Sequence, residues 1–262
     1  MSHIISNEKE LLELNKILTD TDSNINNERI SRLLHFLLPR NKEGASLVSS
    51  RVGETCKVSS EYVPRYNLID VSVSKLVNVL ENNVKMYRSI YNGDPIKLKN
   101  TLLLYVLAHE VEHSYEYLIS KGIVDAPKEV ALEYKILMEL FTDKLELLDK
   151  KEKQVAISTY NVNPYKYVLE RNSNLEASAL SLDIAHLNKD EELSKVFIPL
   201  TRKYLSSGYE STSPMEETFY SLKLDKIYNT IAKDPNLDLK TRLNYGLEIN
   251  KEEKQKVLKL NK

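Results

Sequence analysis

The sequence has little of what stabilises small secreted proteins or marks membrane proteins. Cys56 is the single cysteine among 262 residues, so an intrachain disulfide is impossible and a disulfide-stapled fold is excluded. No apolar run approaches the roughly 18 residues that indicate a membrane-spanning helix, and the N-terminus is polar and acidic, unlike a signal peptide. We therefore predict a cytoplasmic protein with no membrane partner.

The chain also lacks an excess of charge of either sign. Its formal net charge is -1, from 37 Lys and Arg against 38 Asp and Glu. Nucleic-acid-binding domains usually carry a basic surface, so we predict no nucleic-acid partner. Hydrophobic residues make up 42% of the chain, which is sufficient for a globular core.

The spacing of apolar residues predicts many helices and few strands. Helices are predicted over 6–19, 26–39, 76–84, 98–121, 127–152, 164–187, 190–206, 214–233, 238–247 and 248–260. Strand candidates lie within 46–73, at Val58, at Tyr62-Val63 and over Leu68–Val73. A few strands among many helices indicate an α+β fold that is predominantly helical and contains a small sheet.

One helix carries a pattern with a specific chemical meaning. Residues 109–113 read H-E-x-x-H. On an α-helix, positions i and i+4 lie on the same face, so His109 and His113 can offer two imidazole nitrogens to one metal ion. Two neutral nitrogens and an open coordination position suit Zn²⁺. Glu110 can then act as a general base on a water that the metal activates.

A catalytic zinc centre needs a third protein ligand, and a later helix offers one. Glu170 is the favoured candidate, because Ser173 shares its helix face and a small side chain allows close approach to the first helix. Asn174 lies on the same face and could accept a hydrogen bond from the ring N–H of a bound histidine. Glu176 and His186 are the alternative third ligands.

The two motifs together resemble a known family. H-E-x-x-H followed by E-x-x-[A/S]-[D/N] on a later helix is the gluzincin arrangement, and Glu170-x-x-Ser173-Asn174 matches its second part. With Ala177, that run also resembles the E-x-x-A-N-x-x-A segment of ImmA/IrrE-like metallopeptidases of bacterial mobile elements. The resemblance covers about residues 65–187 and implies a zincin-like core.

The resemblance implies a division of the chain and a function for it. Residues 1–45 would be an N-terminal helical segment, 46–187 the metallopeptidase core with a helical insertion at 127–152, and 188–262 a C-terminal helical segment packed on the core. The core would hold Zn²⁺ and hydrolyse a protein or peptide substrate. Leu68–Val73 would be the edge strand that aligns an extended peptide by strand addition.

Some assignments stay open. Glu112 and Glu116 are predicted to be solvated helix charges, with a secondary role in orienting a ligand histidine. The candidate donors for an oxyanion are Tyr160, Tyr165, Tyr167, Tyr209 and His186, and the sequence does not choose among them. The alternative to a peptidase is a non-catalytic, metal-stabilised helical interaction protein with a degenerate H-E-x-x-H site.

Overall fold

A computed structural model describes the fold over residues 4–5, 7–19, 24–126 and 165–190, and at positions 131, 134–135, 138, 192–193 and 195–196. The predicted helices over 214–233, 238–247 and 248–260 lie outside the described residues, as do Asn163 and Pro164. Most of the predicted helices over 127–152 and 190–206 lies outside them as well. The isolated described positions inside those two ranges are helical.

The described part of the chain contains five α-helices and one sheet. The helices are α1 Glu8–Thr19, α2 Asn27–Leu37, α3 Val73–Tyr87, α4 Pro95–Ser120 and α5 Tyr165–Leu187. The strands are β1 Ser49–Gly53, β2 Ser60–Val63 and β3 Leu68–Ser72, with a short 3-10 turn over Pro64–Tyr66. The prediction of an α+β, predominantly helical fold is confirmed. None of the described helices is long and apolar enough to cross a membrane.

The ends of α4 follow from local sequence. Asp94 caps its first turn by accepting a hydrogen bond from the Ile96 N–H, which starts the helix one turn earlier than predicted. Gly122 ends the helix in a left-handed conformation with φ 67°. The N–H groups of Gly122 and Ile123 donate to the carbonyls of Ile119 and Leu118 at 3.0 and 2.9 Å. This is the paired pattern that satisfies the last carbonyls of a helix.

The pairing of the strands shows that Leu68–Val73 is not at the edge of the sheet. Its strand order is β1-β3-β2, with β1 parallel and β2 antiparallel to β3. The segment Leu68–Val73 is therefore not an edge strand: β3 is bonded on both sides, and Ile69 and Val71 are completely buried. Among the described residues, β2 has a single strand neighbour and is an edge. Val58, a predicted strand residue, lies in a bend before β2.

Helix α4 lies at the centre of the fold, where it packs against α1, α2, α3, α5, β2 and β3. Helix α5 places a small residue at every fourth position in its buried face. These residues are Ser173, Ala177, Ser181 and Ala185, all with 0% exposure. Small side chains let two helix backbones approach closely, so α5 can bring polar groups up to α4.

Candidate metal centre

The two histidines of the H-E-x-x-H sequence point their Nε2 atoms at each other. One helical turn separates His109 from His113 on α4, and their Nε2 atoms lie 3.2 Å apart. The two rings meet edge to face, with an interplanar angle of 88°. Two lone-pair-bearing nitrogens at this separation can share either a proton or a metal cation.

Helix α5 brings Glu170 to the same point. Its Oε2 atom lies 3.2 Å from His109 Nε2, and its Oε1 atom lies 3.5 Å from His113 Nε2. In a tetrahedral zinc site with bonds of about 2.05 Å, any two ligand atoms are about 3.3 Å apart. The distance between the two histidine nitrogens fits this value, and each of them lies near that distance from one of the two Glu170 oxygens. One ligand atom from each of the three residues lies within 4.8 Å of the other two, so the three residues can surround one zinc ion. Among the described residues this group has three members, as an open catalytic site requires.

The second ring nitrogen of His113 contacts two buried polar side chains, Glu116 and Ser173. Its Nδ1 atom lies 3.0 Å from Glu116 Oε2 and 3.0 Å from Ser173 Oγ. The prediction that Glu116 and Glu112 are solvated is wrong, because their exposures are 0% and 2%. The i, i+4, i+7 spacing from His109 to Glu116 was the signal that could have placed Glu116 on the ligand face.

The charges around His113 favour a cation in the centre. Burial opposes a positive charge on the ring, but Glu116 and Glu170 outweigh burial and hold the pKa of His113 well above its usual value. Burial would raise the pKa of Glu170, but His109 and His113 outweigh it and hold that pKa well below its usual value. Burial raises the pKa of Glu116, against the pull of His113. A net positive charge is therefore stabilised between the rings and the carboxylate.

Glu110 is held by the edge strand β2. Its Oε1 accepts a hydrogen bond from Ser60 Oγ at 3.0 Å, and its Oε2 accepts one from the Tyr62 N–H at 2.8 Å. A carboxylate has about four lone-pair positions, so two donors leave acceptor capacity for a water or substrate proton. The sequence did not reveal Ser60 or Tyr62, because they are about fifty residues away from Glu110 and reach it only through the packing of β2 on α4.

The side chain of Asn174 bonds to Tyr105 and Glu170. Its Oδ1 accepts a hydrogen bond from the Tyr105 hydroxyl, and its Nδ2 donates to the Glu170 carbonyl at 2.6 Å. Neither of these bonds is to His109 or His113, so the role predicted for Asn174 stays a prediction. Asn174 instead joins α5 to α4 one turn from the Glu170 carboxylate. No hydrogen-bond partner of His109 Nδ1 lies among the described residues.

The structure does not bring the two alternative third ligands to the histidines. Glu176 is buried, and its charge acts on Tyr115, whose pKa is raised by burial and by neighbouring carboxylates. His186 is in the last turn of α5, about 24 Å along the helix from Glu170 at 1.5 Å per residue. Neither residue belongs to the group that His109, His113 and Glu170 form.

The candidate oxyanion donors stay predictions. Tyr160 and Tyr209 lie outside the described residues, and so do the side chains of Tyr165 and Tyr167. His186 lies in the last turn of α5, far along the helix from Glu170.

A second set of possible ligand atoms lies beside the sheet, at Cys56 in the loop before β2, Glu61 in β2 and Asp70 in β3. Asp70 already forms a two-bond ion pair with Arg51. The guanidinium neutralises the carboxylate and occupies both of its oxygens, so this set is a weaker cation site than the first.

Comparisons with protein-family models, with curated proteins and with solved structures found no match to this chain. The resemblance to gluzincins therefore depends on the two sequence motifs. The geometry of the residues in those motifs is the evidence on which a function can be argued.

Proposed function

We propose that this chain is a zinc-dependent metallopeptidase of the gluzincin type, with a zincin-like core. His109, His113 and Glu170 would hold the zinc ion. The observation that carries the proposal is how close their ligand atoms lie. His109 Nε2 is 3.2 Å from His113 Nε2 and 3.2 Å from Glu170 Oε2, and His113 Nε2 is 3.5 Å from Glu170 Oε1. Ligand atoms in a tetrahedral zinc site are about 3.3 Å apart.

The remaining residues of the centre supply the proton chemistry. When bound, zinc supplies Lewis acidity, which polarises a carbonyl and lowers the pKa of water. Glu110 accepts the proton of the attacking water and delivers it to the leaving amine. Ser60 and the backbone N–H of Tyr62 hold the Glu110 carboxylate in place beside His109. These two donors leave part of the acceptor capacity of the carboxylate free.

A protein or peptide in extended conformation is the proposed substrate. The edge strand β2, rather than β3, is the strand to which such a substrate can add. The Tyr62 N–H of β2 bonds to Glu110, so the general base lies next to the strand along which the substrate would run. We therefore assign to β2 the strand-addition role that the resemblance implied for Leu68–Val73.

A matched pair of variants tests the proposal. Zinc-loaded wild type, Glu110→Gln and Glu112→Gln are each incubated with a tryptic peptide library of a bacterial proteome, and new termini are identified by mass spectrometry. We expect cleavage by wild type and Glu112→Gln, and a loss of about 10²-fold or more in Glu110→Gln. All three proteins should contain equal zinc. Full activity of Glu110→Gln would refute the role of Glu110.

The second candidate function is a non-catalytic protein that zinc stabilises. It is favoured by the same contacts of Glu110, because a carboxylate that joins α4 to β2 also has a structural role. In that case chelation lowers the melting temperature of the wild type, and no peptide in the library is cut with zinc present.

A further inference from the structure

We propose that Glu116, assisted by Ser173, positions His113 as a metal ligand by holding the proton of its ring on Nδ1. This inference rests on the proposed zinc centre and assigns a role to a carboxylate that the resemblance does not include. Glu116 is a positioning residue, because its contact is with His113 and not with the metal or the substrate.

The geometry around the ring supports this role. An imidazole that binds a metal through Nε2 must carry its proton on Nδ1. His113 presents Nε2 to His109 and Glu170, and presents Nδ1 to Glu116 Oε2 and Ser173 Oγ, each at 3.0 Å. Glu116 and Ser173 can both accept a hydrogen bond from a protonated Nδ1. The surroundings therefore favour the tautomer that leaves Nε2 free to bind a metal.

Glu116 is the stronger of the two acceptors. A zinc ion on the other side of the His113 ring favours the ionised form of Glu116, and a hydrogen bond to a carboxylate is roughly twice as strong as one to a neutral hydroxyl. Glu116 and Ser173 are both completely buried, so water does not compete for the ring proton. Glu116 comes from α4 and Ser173 from α5, the helix that carries Glu170. The ring orientation is therefore tied to the helix packing that assembles the ligand set.

The two histidines are not equivalent in this respect. His109 Nδ1 is buried and has no hydrogen-bond partner among the described residues, although Glu112 stands in the same i+3 relation to it. His113 is therefore the ligand whose tautomer and orientation are set in advance. Outer partners of this kind typically change metal affinity by about 10- to 100-fold.

Zinc affinity, measured by competition with a chromophoric chelator, tests the inference without a substrate. We expect Glu116→Met, which has no acceptor, to bind zinc about 10- to 100-fold more weakly. Glu116→Gln retains a carbonyl acceptor and should recover part of the affinity. Ser173→Ala should have a smaller effect than Glu116→Met. Glu112→Gln and Ser181→Ala are the matched controls, since both are buried residues of α4 and α5, and both should bind zinc like wild type.

A spectroscopic readout separates positioning from a general loss of folding. In the zinc-loaded wild type, long-range ¹H–¹⁵N correlation spectra should show His113 protonated at Nδ1 and bound to metal through Nε2. Thermal unfolding in excess chelator identifies any variant that fails to fold. If Glu116→Met does not fold, the zinc affinities of Glu116→Gln and Glu112→Gln are compared instead. Weaker binding by Glu116→Gln than by Glu112→Gln then supports positioning by Glu116.

The outcomes distinguish this inference from the proposed function. If wild type binds zinc and Glu170→Ala does not, but Glu116→Met binds as tightly as wild type, positioning by Glu116 is wrong and the metal centre stands. Equal weakening in Glu112→Gln and Glu116→Gln also overturns the positioning role. If wild type does not bind zinc, the metal centre and the positioning role are both wrong.

Discussion

Removal of the Tyr105 hydroxyl tests how α4 and α5 are held together near the proposed metal centre. Tyr105 and Asn174 are each 1% exposed, and the hydroxyl of Tyr105 donates to the amide oxygen of Asn174. Tyr105→Phe leaves that oxygen buried without this donor, which costs about 1–3 kcal/mol. For a chain of this size each kcal/mol lowers the melting temperature by about 2–4 °C, so we expect a decrease of roughly 2–12 °C.

A double-mutant cycle distinguishes this hydrogen bond from a general packing effect. Asn174→Leu in the Tyr105→Phe background replaces both partners with apolar groups, and such a replacement can be nearly neutral for their mutual interaction. We expect the double variant to lose less free energy of unfolding than the two single variants lose together, by about 0.5–3 kcal/mol. Urea unfolding in excess chelator measures all four proteins. Tyr66→Phe is the control, since Tyr66 is 64% exposed. Additive losses, or no loss in Tyr105→Phe, would refute the reasoning.

Three further predictions concern the third ligand, the end of α4 and the start of α3. Glu170→Ala should lose bound zinc and Glu176→Ala should keep it, measured as metal content after purification. Gly122→Ala should lower the free energy of unfolding by about 1–2 kcal/mol, because Gly122 has φ 67° while a Cβ there would meet no other atom. Gly53→Ala is the control, since its Cβ would also meet no other atom and its φ is not positive. It should not show this strain. Hydrogen bonds from the start of α3 lower the pKa of Glu54, so its contribution to stability exists above the ordinary pKa of 4.5 and disappears as the pH falls through the lowered value. The difference in melting temperature between wild type and Glu54→Gln should therefore be present at neutral pH and vanish in acid.

The features that the sequence predicted well are those that local chemistry determines. The helix end at Gly122 follows from the freedom of glycine to adopt positive φ. The end of α5 at Leu187 follows from helical periodicity. The approach of Glu170 to His109 and His113 is not local, since it joins two helices. The sequence favoured Glu170 because small residues share its helix face, but it left Glu176 and His186 as alternatives.

The features that the sequence did not predict depend on contacts between distant segments. The central position of β3 is determined by which strands pair with it, and its own residues do not specify that choice. Asn174 bonds to Tyr105, which is 69 residues away. Glu116 is predicted to be solvated because charged residues usually face water, whereas here its contact with the His113 ring offsets part of the cost of its burial.

The most direct test of the account is a crystal structure of the zinc-loaded protein with anomalous scattering data collected at the zinc edge. We expect one peak, about 2.0–2.2 Å from His109 Nε2, His113 Nε2 and a carboxylate oxygen of Glu170. No peak in this position, or a single peak at Cys56, Glu61 and Asp70 instead, would contradict the central claim.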